Sequence, residues 1–275
     1  MCRNSDESRY FFYIKFKNFI VIFEKILYYY IKANAVNTDS EGGIMGKIIT
    51  IKNNKGGVGK TFLSTQLAAG FALMESKVLI ITSDSQNNVF DYMLNGFLKF
   101  TKGLKAEVSK KDGEYFRMRS NLYFLPLEDN RFSNHFLKSL PEFLERVKTE
   151  YDYVIIDSTA VLKLDEVFLK QSDSIIIPTF ADEVTTKSVI SLINSVDIKK
   201  VKAVVTNKYK ATKTQEKYYN NLTESLENFD VLVSEPIAQV AFLEEMFDNK
   251  KTIWEFSNKT ARSIQQILIS IMKTI

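Results

Sequence analysis

The chain has 275 residues, with 37 Lys and Arg against 33 Asp and Glu, for a formal charge of +4. Hydrophobic residues at 45% and charged residues at 25% exclude wholesale disorder and collagen-like repeats. A lone cysteine, Cys2, excludes a disulfide framework and any cysteine-ligated zinc or iron–sulfur site. The slight basic excess permits an acidic partner such as DNA without requiring one.

Residues 1–44 read differently from the rest. Ten aromatic residues fall between Tyr10 and Lys32. No small-residue cleavage site follows them, which speaks against a signal peptide. Lys15, Lys17, Glu24 and Lys25 interrupt the run, which speaks against a membrane span. The expectation is an aromatic-rich N-terminal extension upstream of the true start at Met45. Glu41-Gly42-Gly43 back-translates to a purine-rich stretch that can spell a bacterial ribosome-binding site. An interfacial helix and an additional packing element are the alternatives.

From Lys47 onward, short apolar runs alternate with stretches of helical period. The runs predict strands at Ile48–Ile51, Val78–Ile81, Leu122–Leu125, Tyr153–Ile156, Ser174–Ile177, Val201–Val205 and Val231–Val233. Helices are predicted at Thr61–Met74, Phe136–Lys148, Thr185–Asn194, Thr214–Leu226 and Ala261–Lys273. Most of the runs are continuously apolar rather than alternating, so the strands should be buried on both faces. Residues 45–275 therefore predict an α/β fold in one domain, a mostly parallel twisted sheet flanked by helices on both faces. Lys99–Arg119, with two glycines and seven basic residues, is expected to be a surface insertion. Ligands of such a sheet sit at the carboxyl ends of the strands, here just after Ile51, Ile81, Ile156 and Val205.

After the first strand the chain reads Asn54-Lys55-Gly56-Gly57-Val58-Gly59-Lys60-Thr61 and enters a helix. Glycines there let successive backbone N–H groups face phosphate oxygens, and the helix start adds partial positive charge. Lys60 would reach the β- and γ-phosphates, and the Thr61 hydroxyl would bind Mg²⁺. The generic phosphate-loop pattern asks for Gly where Asn54 stands. The motif KGGVGKT resembles that of the ParA/MinD family of deviant Walker A ATPases, in which the residue at Lys55 is the signature lysine. The resemblance implies that Lys55 crosses to the partner subunit's nucleotide, tying ATP binding to dimerisation.

Further motifs extend the resemblance over residues 45–275. Thr82-Ser83-Asp84-Ser85-Gln86-Asn87-Asn88 resembles the switch I segment DxDPQGN, which places Asp84 near the attacking water and the metal shell. Thr82, Ser85 and Asn87 depart from its first Asp, its Pro and its Gly. Tyr151–Asp157 is similar to the Walker B strand YDxIIID, which makes Asp157 a metal carboxylate, while Ser158-Thr159-Ala160 replaces the family's TPP. Asn207 matches the adenine-reading Asn, whose amide can pair with N6 and N7 of the base. Pro236 resembles the proline of the loop that borders the base. Phe62 stands where the family has a second Thr at the α-phosphate. The resemblance thus implies Lys55, Lys60 and Asp84 in catalysis. It implies Thr61, Asp84 and Asp157 at Mg²⁺, and Lys55 through Phe62 with Asn207 and Pro236 at ATP.

Clustered cysteines of the iron–sulfur branches are absent, as is a C-terminal tyrosine cluster of the kinase branch. The sequence Asn53-Asn54-Lys55-Gly56-Gly57 resembles the ParA-like NxKGG rather than the MinD-like GKGG. The last helix has an apolar face but few basic residues, so it is expected to pack on the protein's own core, with no membrane partner for residues 45–275. Lys208, Lys210, Lys213 and Lys217, with Lys199, Lys200 and Lys202 before them and Lys259 and Arg262 near the end, could contact DNA phosphates non-specifically. They read equally as a solvated face. The resemblance implies a bacterial, cytoplasmic, nucleoid-associated partition ATPase. It would form an ATP-dependent homodimer and hydrolyse slowly, stimulated by a ParB-like centromere-binding protein. A membrane-surface positioning ATPase and a nucleotide-binding scaffold with negligible turnover are the alternatives.

Overall fold

Three strands are buried along their whole length: β2 (Val78–Thr82), β5 (Tyr153–Asp157) and β6 (Ser174–Thr179). Such strands need cover on both faces, and helices supply it. The computed structural model describes residues 45–96, 98–159 and 163–275. The expectations for residues 1–44 lie outside the described residues.

Five further strands complete one eight-stranded sheet: β1 (Lys47–Ile51), β3 (Phe116–Arg119), β4 (Leu122–Leu125), β7 (Val201–Thr206) and β8 (Leu232–Val233). Their order is β3-β4-β2-β5-β1-β6-β7-β8. Every neighbouring pair is parallel except β3 and β4, which form an antiparallel edge.

Helix α1 (Lys60–Leu73) is buried nearly all round because it lies between the sheet and α9 (Lys259–Met272). On this face Ile49 and Ile51 of β1 meet Leu63 and Leu67 of α1 and Leu268 and Ile271 of α9. Phe71 of α1 stacks on Tyr153 at 3.9 Å between centroids. Ile48 points to the opposite face, where α4 (Asn134–Glu150) and α5 (Lys163–Gln171) contribute Leu140, Leu144, Leu164 and Phe168. Farther along that face, α6 (Glu183–Ile193) and α7 (Lys213–Leu226) cover β6 and β7 with Val189, Leu192, Leu222 and Leu226. Each fully buried aliphatic side chain of this kind contributes roughly 1.5–3 kcal/mol.

The stretch expected to be a surface insertion is instead partly core. It forms α3 (Leu104–Lys110) and β3, and it buries Leu104 and Met118 completely or nearly so. Glu107 is buried with them and pairs with Arg146 of α4. Two short helices, α2 (Val89–Met93) and α8 (Ala241–Asp248), were likewise not foreseen, nor was α5. Among the described residues no helix is long and apolar enough to cross a membrane. The apolar face of α9, with Ile264, Ile267, Leu268 and Ile271 buried, rests on α1 as expected.

Candidate nucleotide site

Strand register brings the candidate residues together. Ile51 and Thr82 each lie opposite Asp157, one from each side of β5. The loops that follow therefore start at one level, and a cavity of about 600 Å³ opens there. Gly56 through Phe62, Asp84, Asp157 and Asn207 all line it. Lys55 does not. It stands exposed at the loop's outer edge, and among the described residues its ammonium has no hydrogen-bond or ion-pair partner.

The phosphate loop is braced from beneath. Asn53, fully buried, donates from Nδ2 to the Pro178 carbonyl at 2.8 Å, and its Oδ1 accepts from Lys55 N at 2.9 Å and Ser188 Oγ at 2.8 Å. Asn207 Nδ2 donates to the Val58 carbonyl at 2.7 Å. Gly59 has φ +97°, and a Cβ there would lie 2.6 Å from Asn207 Nδ2, so both conformation and space demand glycine. At Gly56 and Gly57 a Cβ would meet nothing within 4 Å, which leaves that side of the loop open for a ligand.

Asp157 is buried, and it accepts from Thr61 Oγ1 at 2.9 Å and Ser64 Oγ at 3.0 Å. Burial pushes its carboxyl up to about 6, against the opposing pull of those two hydroxyls and the Lys60 charge. Lys60 Nζ folds back onto the Lys55 carbonyl at 2.8 Å. Burial holds its ammonium below the ordinary lysine range. Asp157 opposes that shift and the Lys52 charge adds to it. Among the described residues no group of three His, Cys, Asp or Glu could hold a metal by itself. One hydroxyl and one carboxylate beside a phosphate cradle suit Mg²⁺, which keeps several waters and takes phosphate oxygens as ligands. A nucleotide fits as well: Asn207 Oδ1 is buried with no partner among the described residues and would accept from a base amino group. One of the two Nδ2 hydrogens is committed to the Val58 carbonyl, and the second stays available beside the oxygen for a two-point reading of adenine.

The switch departures are accommodated. Asn87 takes φ +52°, a left-handed conformation that favours glycine and that asparagine tolerates well. Its carboxamide also ties down the Leu127 backbone, accepting from Leu127 N at 2.7 Å and donating to Leu127 O at 2.9 Å. Thr82 Oγ1 accepts from Asp84 N at 3.0 Å and donates to the Asp157 carbonyl at 3.2 Å.

Three sequence expectations need correction. Pro236 does not line the cavity; Ile237 through Val240, which follow it, do. Lys208, grouped with the DNA-facing lysines, lines the cavity instead, with its ammonium 5.7 Å from the Phe180 ring. The lysines from Lys199 to Lys217 do not form one patch. Lys199 and Lys200 precede β7 and Lys208 to Lys217 follow it, so a strand of six residues, about 20 Å, separates them. Lys210, Lys213, Lys217, Lys259 and Arg262 are exposed as expected.

The sequence reading missed an aromatic wall. Tyr92 of α2 and Phe247 of α8 line the cavity and meet edge-on at 4.6 Å, and Phe62 meets Phe247 edge-on at 5.8 Å. Phe62 thus packs against α8 where a second Thr would face phosphate. The apolar period of AFLEEMF was the available signal for α8, though eight residues are short for recognition.

A glycine-rich loop opening a helix, with a strand-end carboxylate on the loop's hydroxyl, defines a P-loop nucleotide-binding protein. A family model described as an AAA domain matches residues 46–212. The sporulation initiation inhibitor protein Soj of Bacillus subtilis is 31% identical over 177 residues, covering 55% of this chain and 65% of Soj. The chromosome partitioning protein ParA of Myxococcus xanthus is 25% identical over 193 residues, covering 57% of this chain and 60% of ParA. Among solved structures, a Cyanothece McdA–ATP complex superposes with TM-score 0.71 at 15% identity, over 84% of this chain and 97% of McdA. The chain belongs to the ParA/MinD family of P-loop ATPases. It spans about half to two thirds of the length of the curated relatives it matches.

Proposed function

We propose that the chain is a ParA-like, Mg²⁺-dependent ATP switch that dimerises in the ATP state, binds DNA non-specifically and serves plasmid or chromosome segregation in a bacterial cytoplasm, associated with the nucleoid. The observation that carries this reading is Lys55, an exposed cation that has no partner among the described residues and immediately precedes the loop lining the cavity. A second cation beside the phosphates is useful where it balances charge that one subunit does not cover.

Bound Mg²⁺-ATP supplies the scissile phosphoanhydride and a metal charge that neutralises the phosphates. The chain's own contribution is positioning. Backbone N–H groups from Gly56 to Thr61 would cradle the phosphates, and Lys60 would exchange the Lys55 carbonyl for phosphate oxygens. Thr61 and Asp157 would hold the metal, and Asp84 would orient water at the open side. Asn207 Oδ1 would accept from adenine N6, and Lys208 would face the nucleotide. Outside the cavity, Lys210, Lys213, Lys217, Lys259 and Arg262 would contact DNA phosphates. A ParB-like centromere-binding protein would stimulate hydrolysis.

DNA binding by the full chain without nucleotide, with ADP and with ATP, at two salt concentrations, tests the reading. It predicts ATP-dependent, sequence-independent binding that weakens at the higher salt. Equal binding in all three nucleotide states, or none at low salt, contradicts it.

A further inference from the structure

Beneath the phosphate loop lies a buried ion pair for which the proposed chemistry has no role. Lys52, one residue past β1, places Nζ 3.0 Å from Asp165 Oδ2 of α5, and both side chains are 3% exposed. Lys52 Nζ also donates to the Thr159 carbonyl at 3.0 Å. Asp165 Oδ1 accepts from Ser83 Oγ at 2.7 Å, and Oδ2 accepts from Thr159 Oγ1 at 3.0 Å. Ser83 Oγ in turn accepts from Thr159 N at 2.7 Å.

Three members of this network lie within three residues of a candidate site residue. Ser83 immediately precedes Asp84, and its backbone N–H donates to the Asp157 carbonyl at 3.1 Å. Thr159 lies two residues past Asp157, and Lys52 lies three before Lys55. The pair is close enough to Lys60 for both its charges to act on that ammonium. The network therefore joins the ends of β1, β2 and β5 to α5, with the Lys52, Ser83 and Asp165 side chains bridging to one another and to the Thr159 backbone.

We propose that Lys52, Asp165 and Ser83 are positioning residues that clasp the loop carrying Asp84 to the loop following Asp157, so that both carboxylates stand ready before nucleotide arrives. The clasp acts through these loops rather than on the nucleotide, and its link to hydrolysis rests on the function proposed above. Removing one member of a buried pair leaves the other uncompensated, so single charge deletions risk unfolding, whereas joint apolar replacement is generally tolerated. Lys52→Met/Asp165→Leu therefore removes the clasp while filling its volume. Ser83→Ala keeps the ion pair and cuts the two ties made by the switch-loop hydroxyl, to Asp165 and to Thr159 N.

The test compares the full-length wild type with both variants by amide hydrogen exchange and by single-turnover ATP hydrolysis. Exchange across residues 83–88 should rise at least tenfold in the double variant, already without nucleotide, while α1 keeps its protection. Hydrolysis should fall about tenfold or more, and Mg²⁺-ATP affinity should change less than threefold. Ser83→Ala should move both readouts the same way, and it decides the matter if the double variant does not fold. Unchanged exchange at 83–88, or hydrolysis within twofold of wild type, overturns the clasp. Raised exchange in proteins of which none hydrolyses ATP, the wild type included, upholds the loop clasp and overturns the proposed ATPase activity instead.

Discussion

At the scale of single residues, Asp157 has the environment that matters most. Its carboxyl holds a proton up to about pH 6 in the fold, whereas an ordinary one releases it near 3.8. The folded value is the higher one, so the apo fold loses stability as pH rises through the window between them, and the loss persists above it. Asp157→Asn removes that cost without orphaning a neighbour. The new amide can donate to Ser64 Oγ, whose proton is free to turn to the Lys60 carbonyl 3.0 Å away. Apo Asp157→Asn should therefore melt at or above the wild-type temperature at pH 7.5, the gain being on the order of 1–3 kcal/mol. It should also lose most of the Mg²⁺ dependence of nucleotide binding. Differential scanning fluorimetry across pH 4 to 8, with nucleotide titrations with and without Mg²⁺, measures both. A destabilised apo variant with intact Mg²⁺ dependence would contradict this account.

At the scale of elements, α1 packs closely on α9 and on Trp254, which precedes α9. Gly70 of α1 is the contact point: a Cβ there would lie 2.7 Å from the Trp254 ring and 3.0 Å from Met272 Sδ. Alanine normally favours a helix over glycine by about 1 kcal/mol. Here the clash should win, and Gly70→Ala should destabilise by about 1–3 kcal/mol in chemical denaturation, because a close-packed core yields little. A stabilised variant would show that α9 docks loosely. The strands that hold the site were legible in the sequence because each is a continuous apolar run, and KGGVGKT was legible because its function demands glycines. What was not legible came from short elements. Helices α2 and α8 are five and eight residues long, so the apolar period repeats too few times to stand out, yet they supply Tyr92 and Phe247. The run containing Leu104 and Met118 looked like a loop because its buried residues are few and its basic residues many. Pro236 was misplaced by one residue, since Ile237 is the first of that loop to turn into the cavity.

At the scale of the whole molecule, the lysines divide by task. Lys208 should serve the nucleotide, whereas Lys213 and Lys217 on α7 face solvent. Lys208→Ala should weaken nucleotide binding several-fold. Lys213→Ala/Lys217→Ala should leave it unchanged and reduce the slope of log K for DNA against log salt by about 2. Fluorescent-nucleotide titration and DNA binding across a salt series separate the two. An unchanged slope would make α7 a solvated face only.

The most direct measurement of the central claim is the mass of the full chain in solution by sedimentation, with ATP, with ADP and without nucleotide, beside Lys55→Ala. The account predicts a dimer of the wild type with ATP alone, and a monomeric Lys55→Ala that still binds ATP through the intact loop. A wild type that stays monomeric with saturating Mg²⁺-ATP, or a Lys55→Ala variant that dimerises as well as wild type, would contradict it.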